Sequence, residues 1–158
     1  MSFNKSFDDL TVKYPVLSSA IILSNKDTAN GTIQYTDSIE LYKANAWNLF
    51  LSMDINAVDV ADATIQMHYS LSADGSTGWQ TAVEIDEFTY ANLSTSGLYT
   101  YGSAFDPSDI DIETYPYIKF GYEVTLSATE TGNCLGSLLA LGTRPMDIDN
   151  VTEVAVLS

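Results

Sequence analysis

From Tyr117 to Ser127 the chain alternates without a break. Ile118, Phe120, Tyr122, Val124 and Leu126 fall on one side; Tyr117, Lys119, Gly121, Glu123, Thr125 and Ser127 fall on the other. A pleated strand places every second residue on the same face, and helical spacing cannot reproduce such a run. The same period governs Trp47, Leu49, Leu51, Met53 and Ile55, set against Asn48, Ser52 and Asp54, with Phe50 breaking the polar row. It governs Ile65, Met67, Tyr69 and Leu71 as well, set against Thr64, Gln66, His68 and Ser70. Shorter stretches predict further strands: residues 17–24, Ile39 with Leu41, Val83 with Ile85, Tyr99 with Tyr101, Leu135 to Leu141 and Val151 to Leu157. No segment keeps a helical pattern beyond one or two turns.

Turn chemistry separates these runs. Asn30-Gly31 and Asp74-Gly75 are dipeptides that tolerate positive φ at little cost. Residues 72–78 predict a hairpin joining the strand that ends near Leu71 to one that opens at Trp79. Further loops are expected at Ser94 to Gly97, Asp106 to Asp109 and Thr131 to Asn133. About eight or more short antiparallel strands at this spacing make an all-β fold, a single β-sandwich or jelly roll. At 158 residues, with no internal repeat and no low-complexity linker, one domain is expected. It is predicted to span residues 15–158, preceded by an extended N-terminal arm, residues 1–14, that carries Phe3, Phe7, Leu10 and Tyr14 among polar residues.

Charge changes the picture. Six basic residues stand against 21 acidic ones, a net of −15. Nucleic acid and anionic membrane surfaces both demand a basic footprint, so neither is an expected partner. Residues 1–43 hold four lysines against five acids, a net of −1, whereas residues 44–158 hold two bases against 16 acids, a net of −14. Either the asymmetry is incidental to a soluble acidic domain, or the near-neutral end docks while the anionic body faces solvent. The N-terminal residues lack an apolar run of signal-peptide length, which predicts a chain made and kept in a cytoplasm or released by lysis.

Candidate chemistry is sparse. His68 falls on the polar side of its strand and is expected to be solvated. Cys134 is a lone cysteine, without a second to share a disulfide or a metal. There is no Gly-x-Ser-x-Gly elbow, no glycine-rich phosphate loop and no zinc spacing. Asp106, Asp109, Asp111 and Glu113 cluster within eight residues, and Asp147 and Asp149 alternate near the end. The first group lacks the glycine bend of a calcium loop and reads as a strand entering from a loop, its acids on one face. A carboxylate pair of the glycosidase type needs a cleft that short strands and tight turns do not provide. No catalytic, cofactor or metal residue is assigned, and no enzyme is expected. Tyr99 and Tyr101 on one face, with Tyr90, Tyr115 and Tyr117 near loops, are suited to stacking on sugars, to protein contacts or to core packing.

The stretch from Trp47 to Pro145 resembles the β-sandwich decoration (cement or auxiliary) proteins of tailed-phage capsids. The resemblance lies in Thr64-Ile65-Gln66-Met67-His68-Tyr69-Ser70-Leu71-Ser72-Ala73-Asp74-Gly75 followed by Trp79. It lies also in Tyr115-Pro116-Tyr117-Ile118-Lys119-Phe120 running into residues 124–129. It implies a non-catalytic virion protein on the capsid surface that binds the major capsid protein and itself, often as a trimer, and stabilises the shell. A head fibre, tail or head-closure subunit is the nearest alternative. A carbohydrate-binding module is the alternative from another class, and a small acid-dependent hydrolase ranks last.

Overall fold

The computed structural model describes residues 14–28, 31–58, 60–93, 97–125 and 131–146. Nine strands and one 3-10 turn follow in order: β1 (Tyr14–Thr28), β2 (Gln34–Tyr35), β3 (Ile39–Glu40), η1 (Leu41–Lys43), β4 (Ala46–Val58), β5 (Val60–Ser72), β6 (Val83–Leu93), β7 (Gly97–Phe105), β8 (Tyr117–Thr125) and β9 (Thr131–Met146). They form two antiparallel sheets, one in the order β1-β9-β4-β7 and the other β2-β8-β5-β6, with β3 also on β8. β2 and β3 act as two halves of one strand, since both pair with β8. Thr36 fills the break between them. Its amide donates to the Phe120 carbonyl at 2.8 Å, and its hydroxyl accepts from the Phe120 amide at 3.1 Å. With that pair counted once, eight strands wrap as a jelly roll, and the expected β-sandwich stands.

The alternation places the core. Trp47, Leu49, Leu51 and Met53 from one sheet meet Ile65, Met67, Ile118, Phe120, Tyr122 and Val124 from the other, all essentially without exposure. Phe120 sits at the seam, with ring centroids 5.3 Å from Trp47 and 5.6 Å from Phe105. Each such side chain contributes about 1.5–3 kcal/mol when fully buried.

Four local expectations need correction. Thr131 to Asn133 is strand, paired to β4 through Val58, Ala57 and Asn56; ladder hydrogen bonds outweigh the turn preference of Gly132 and Asn133. Trp79 does not open the return strand, because β6 begins at Val83, opposite Tyr69. Residues 106–116 form successive turns, not a strand; the Ile110 amide donates to the Pro107 carbonyl at 3.0 Å. Tyr14, expected in the arm, belongs to β1. The remaining arm, residues 1–13, and the strand expected at 151–157 lie outside the described residues.

Candidate functional site

The two sheets differ in charge, with a net of zero on the strands of one against −5 on the strands of the other. β1, β4, β7 and β9 together carry two acids (Asp27, Asp54) and two bases (Lys26, Arg144). β2, β3, β5, β6 and β8 carry six acids (Glu40, Asp62, Glu84, Asp86, Glu87, Glu123) and one base (Lys119). The neutral surface expected of the N-terminal end is therefore shared out by the wrap to one whole sheet. Pairing β1 with β9, and β9 with β4, assembles it from distant parts of the chain.

On the acidic sheet, Tyr35, Gly121, His68 and Glu84 form one row across the outer face. Gly121 contributes no side chain, and the Tyr35 ring lies over it: a Cβ there would stand 2.8 Å from Tyr35 Cδ1 and 2.7 Å from the Gln34 carbonyl oxygen. The loop after β5 folds onto the same face. Asp74 organises that loop by accepting from the Thr77 hydroxyl at 2.5 Å and from the Thr77 and Ser76 amides at 2.7 and 2.8 Å, and those bonds hold its carboxyl far below the usual carboxylate range. Gly75 supplies the positive φ of 75°, with the Tyr117 ring against it. Ser70 then donates to the Gln80 carbonyl at 2.5 Å. Lys119 Nζ lies 4.1 Å from the Tyr35 ring centroid and 4.2 Å from that of Trp79, a cation between two aromatic faces. Burial lowers the pKa of this amine.

This cover explains why His68 is 7% exposed, contrary to the solvated position expected. The residue does point away from the core, but the loop and Tyr35 close over that face. Its Nε2 lies 3.4 Å from Glu123 Oε2 without an aligned hydrogen bond. A role as catalytic base gains nothing from this arrangement. Cys134 lies in β9 of the other sheet, paired with Ile55, so the fold does not bring a Cys–His dyad together.

Two acids of the cluster, Asp106 and Asp111, are occupied by their own turns. Asp106 accepts from the Ser108 amide at 2.9 Å, and Asp111 accepts from the Glu113 amide at 3.2 Å and from the Thr114 hydroxyl at 2.6 Å. The Thr114 hydroxyl, then the Thr114 and Glu113 amides, lower the Asp111 pKa. Among the described residues, no three His, Cys, Asp or Glu side chains are grouped to hold a metal. Asp147 and Asp149 lie outside them. Tyr99 and Tyr101 face inward and pack against the core, with Tyr101 stacked on Phe88 at 4.8 Å, so they form no exposed sugar platform. Tyr117 is half-buried, as is Tyr115. The side chain of Tyr90 is outside the described set.

What remains open to a partner is surface. Leu41, Tyr42, Asn45, Pro107, Ile110 and Ile112 line a shallow depression of about 480 Å³, and Tyr42 is 63% exposed at its rim. Across the molecule, Phe50 and Leu98 stand out on the neutral sheet. Phe50 interrupts the polar row of its strand in the sequence, but no local pattern there places Leu98 on the same sheet face.

No family model matches the chain, and no curated protein matches it. Solved structures do. The PRD1 vertex protein P5 aligns with a TM-score of 0.50 at 10% identity, over 80% of this chain and 98% of that one. What the two share is the fold. Two matches fall lower in TM-score. T=1 particles derived from infectious bursal virus give 0.42 at 12% identity, over 84% of this chain and 32% of that one. The CBM22-1-GH10 modules of xylanase 10B from Clostridium thermocellum give 0.43 at 7%, over 83% and 27%.

Proposed function

We propose that this chain is a non-catalytic virion protein that attaches to the outer surface of a phage capsid, associates with copies of itself there, and stabilises the shell. The observation that carries the reading is the jelly-roll wrap, matched across nearly the full length of a viral vertex protein. The resemblance of residues 47–145 to tailed-phage decoration proteins points the same way. The acidic sheet suits an outward face, because it stays hydrated and repels neighbouring polyanions. Covered His68 and backbone-bound Asp106 and Asp111 leave contact, rather than chemistry, as the means of action.

Stabilisation then follows from linkage. A protein that binds one state of the shell and not its disrupted state favours the first by RT ln(1 + [L]/Kd), about 2.7 kcal/mol per site at a hundredfold excess over Kd. Association between copies multiplies a weak contact into durable attachment. The test is to add the purified chain to particles lacking it, image them by electron microscopy, and measure the temperature at which they release DNA. Added density outside the shell and a raised release temperature are expected. Density confined to the tail or to the head-closure vertex would assign the chain to another virion role, and no binding would reject the proposal.

A further inference from the structure

Phe50 interrupts the polar side of β4, and the fold places it in the middle of an outer face. Four rows cross that face where β4 lies between β7 and β9. Leu98, Asp54 and Leu135 form one; Thr100, Ser52 and Ser137 the next; Gly102, Phe50 and Leu139 the third; Ala104, Asn48 and Leu141 the fourth. Phe50 is 48% exposed, Leu98 70% and Leu135 38%. A Cβ on Gly102 would stand 3.9 Å from Phe50 Cδ1, so the ring lies along the glycine and keeps the face low. Asp54 is the single charge among the described outward positions of β4, β7 and β9.

We infer that this face is where two copies of the chain meet, each offering the same patch about a two-fold axis that runs across the strands at Phe50. The inference rests on the self-association within the function proposed above and gives it a surface. Charge identifies the occupant. Each copy carries a net of −15, so an approach through the other sheet sets Glu84, Glu87 and Glu123 against like charges. Of the two sheets, the neutral one brings copies together without that opposition. The one acid fits this geometry. Asp54 lies four residues from Phe50, about 14 Å along the strand, so the axis holds the two carboxylates about 27 Å apart. That is well beyond a Debye length of about 8 Å.

Area sets the strength. Four strands about 4.8 Å apart, over the seven residues (47–53) of the β4–β7 pairing that a two-fold at Phe50 superposes on themselves, cover roughly 450 Å². A pair therefore buries roughly 900 Å², in the range of weak, transient interfaces. Two sheets stacked in this way stand about 10 Å apart, room for one layer of interleaved side chains.

Sedimentation equilibrium of the isolated chain across a concentration series tests the inference. Twice the mass of one chain is expected, with tighter pairing as salt rises and screens the net charge. Phe50→Glu places a carboxylate beside the axis and should weaken pairing by about tenfold or more. Leu98→Glu, in the row of Asp54 and away from the axis, should weaken it less, and Glu84→Gln on the other sheet should not weaken it. Circular dichroism checks that each variant is folded. A single-chain mass throughout, a three-copy assembly, or pairing indifferent to both Phe50→Glu and Leu98→Glu would overturn the inference. Because the readout needs no particles, failure of the wild-type chain to bind shells counts against the proposed function alone.

Discussion

Phe120→Ala measures how much the two sheets depend on each other. Phe120 is unexposed in β8, and its ring contacts Trp47 and Phe105 of the opposite sheet at centroid distances of 5.3 and 5.6 Å. Removing the ring deletes buried apolar surface and leaves a cavity that a seam held by two backbone ladders cannot close. The expected loss is about 3–5 kcal/mol. Roughly 0.5–1.5 kcal/mol for each aromatic pair is part of it. Domains of this size have about 5–15 kcal/mol in all, so the variant should unfold at far lower urea. Phe120→Leu keeps much of the volume and should cost under about 1.5 kcal/mol if the core repacks, which leaves a folded reference. Phe50→Ala provides the contrast, because the same residue type on the outer side of β4 should cost no more than about 1 kcal/mol. Urea titrations followed by tryptophan fluorescence, at concentrations low enough to keep the chain monomeric, give the values. If Phe120→Ala costs no more than Phe50→Ala, the sheets do not meet at this seam and the sandwich is wrong.

Two further outcomes follow from the outer face of the acidic sheet. Gly121→Ala drives a methyl group into the Gln34 carbonyl and the Tyr35 ring; it should cost about 1–3 kcal/mol and speed hydrogen exchange at the Thr36 amide, and unchanged exchange would contradict the close approach. Asp74 has its folded-state pKa depressed, so its contribution is complete above the unfolded value near pH 4 and fades as pH falls through the folded one. In a carboxyl-carbon NMR titration Asp74 should stay ionised after ordinary aspartates have protonated, and an ordinary midpoint would show that the loop is not held through its carboxylate.

The inward faces of β4, β5 and β8 were legible because burial on one side of a sheet imposes period two, and Trp47 to Met53 and Ile118 to Val124 obey it. Exposure on the other side was not legible in the same way. His68, Ser70 and Ser72 are polar and point outward, yet all are buried, since a loop from further along the chain and a tyrosine from before it close over them. The acids at 106–113 were legible as a cluster. Their use was not, because an aspartate that caps its own turn and one that faces an ion look the same until the backbone amides are placed.

By itself, the sequence determined the class of fold: alternating segments and turn dipeptides leave an antiparallel sandwich. Only tertiary structure decided which strands are neighbours. The four strands that make up the neutral sheet come from both ends and the middle of the chain, and no local pattern records their pairing. Charge is a property of each residue, but a surface belongs to whichever residues the wrap sets side by side.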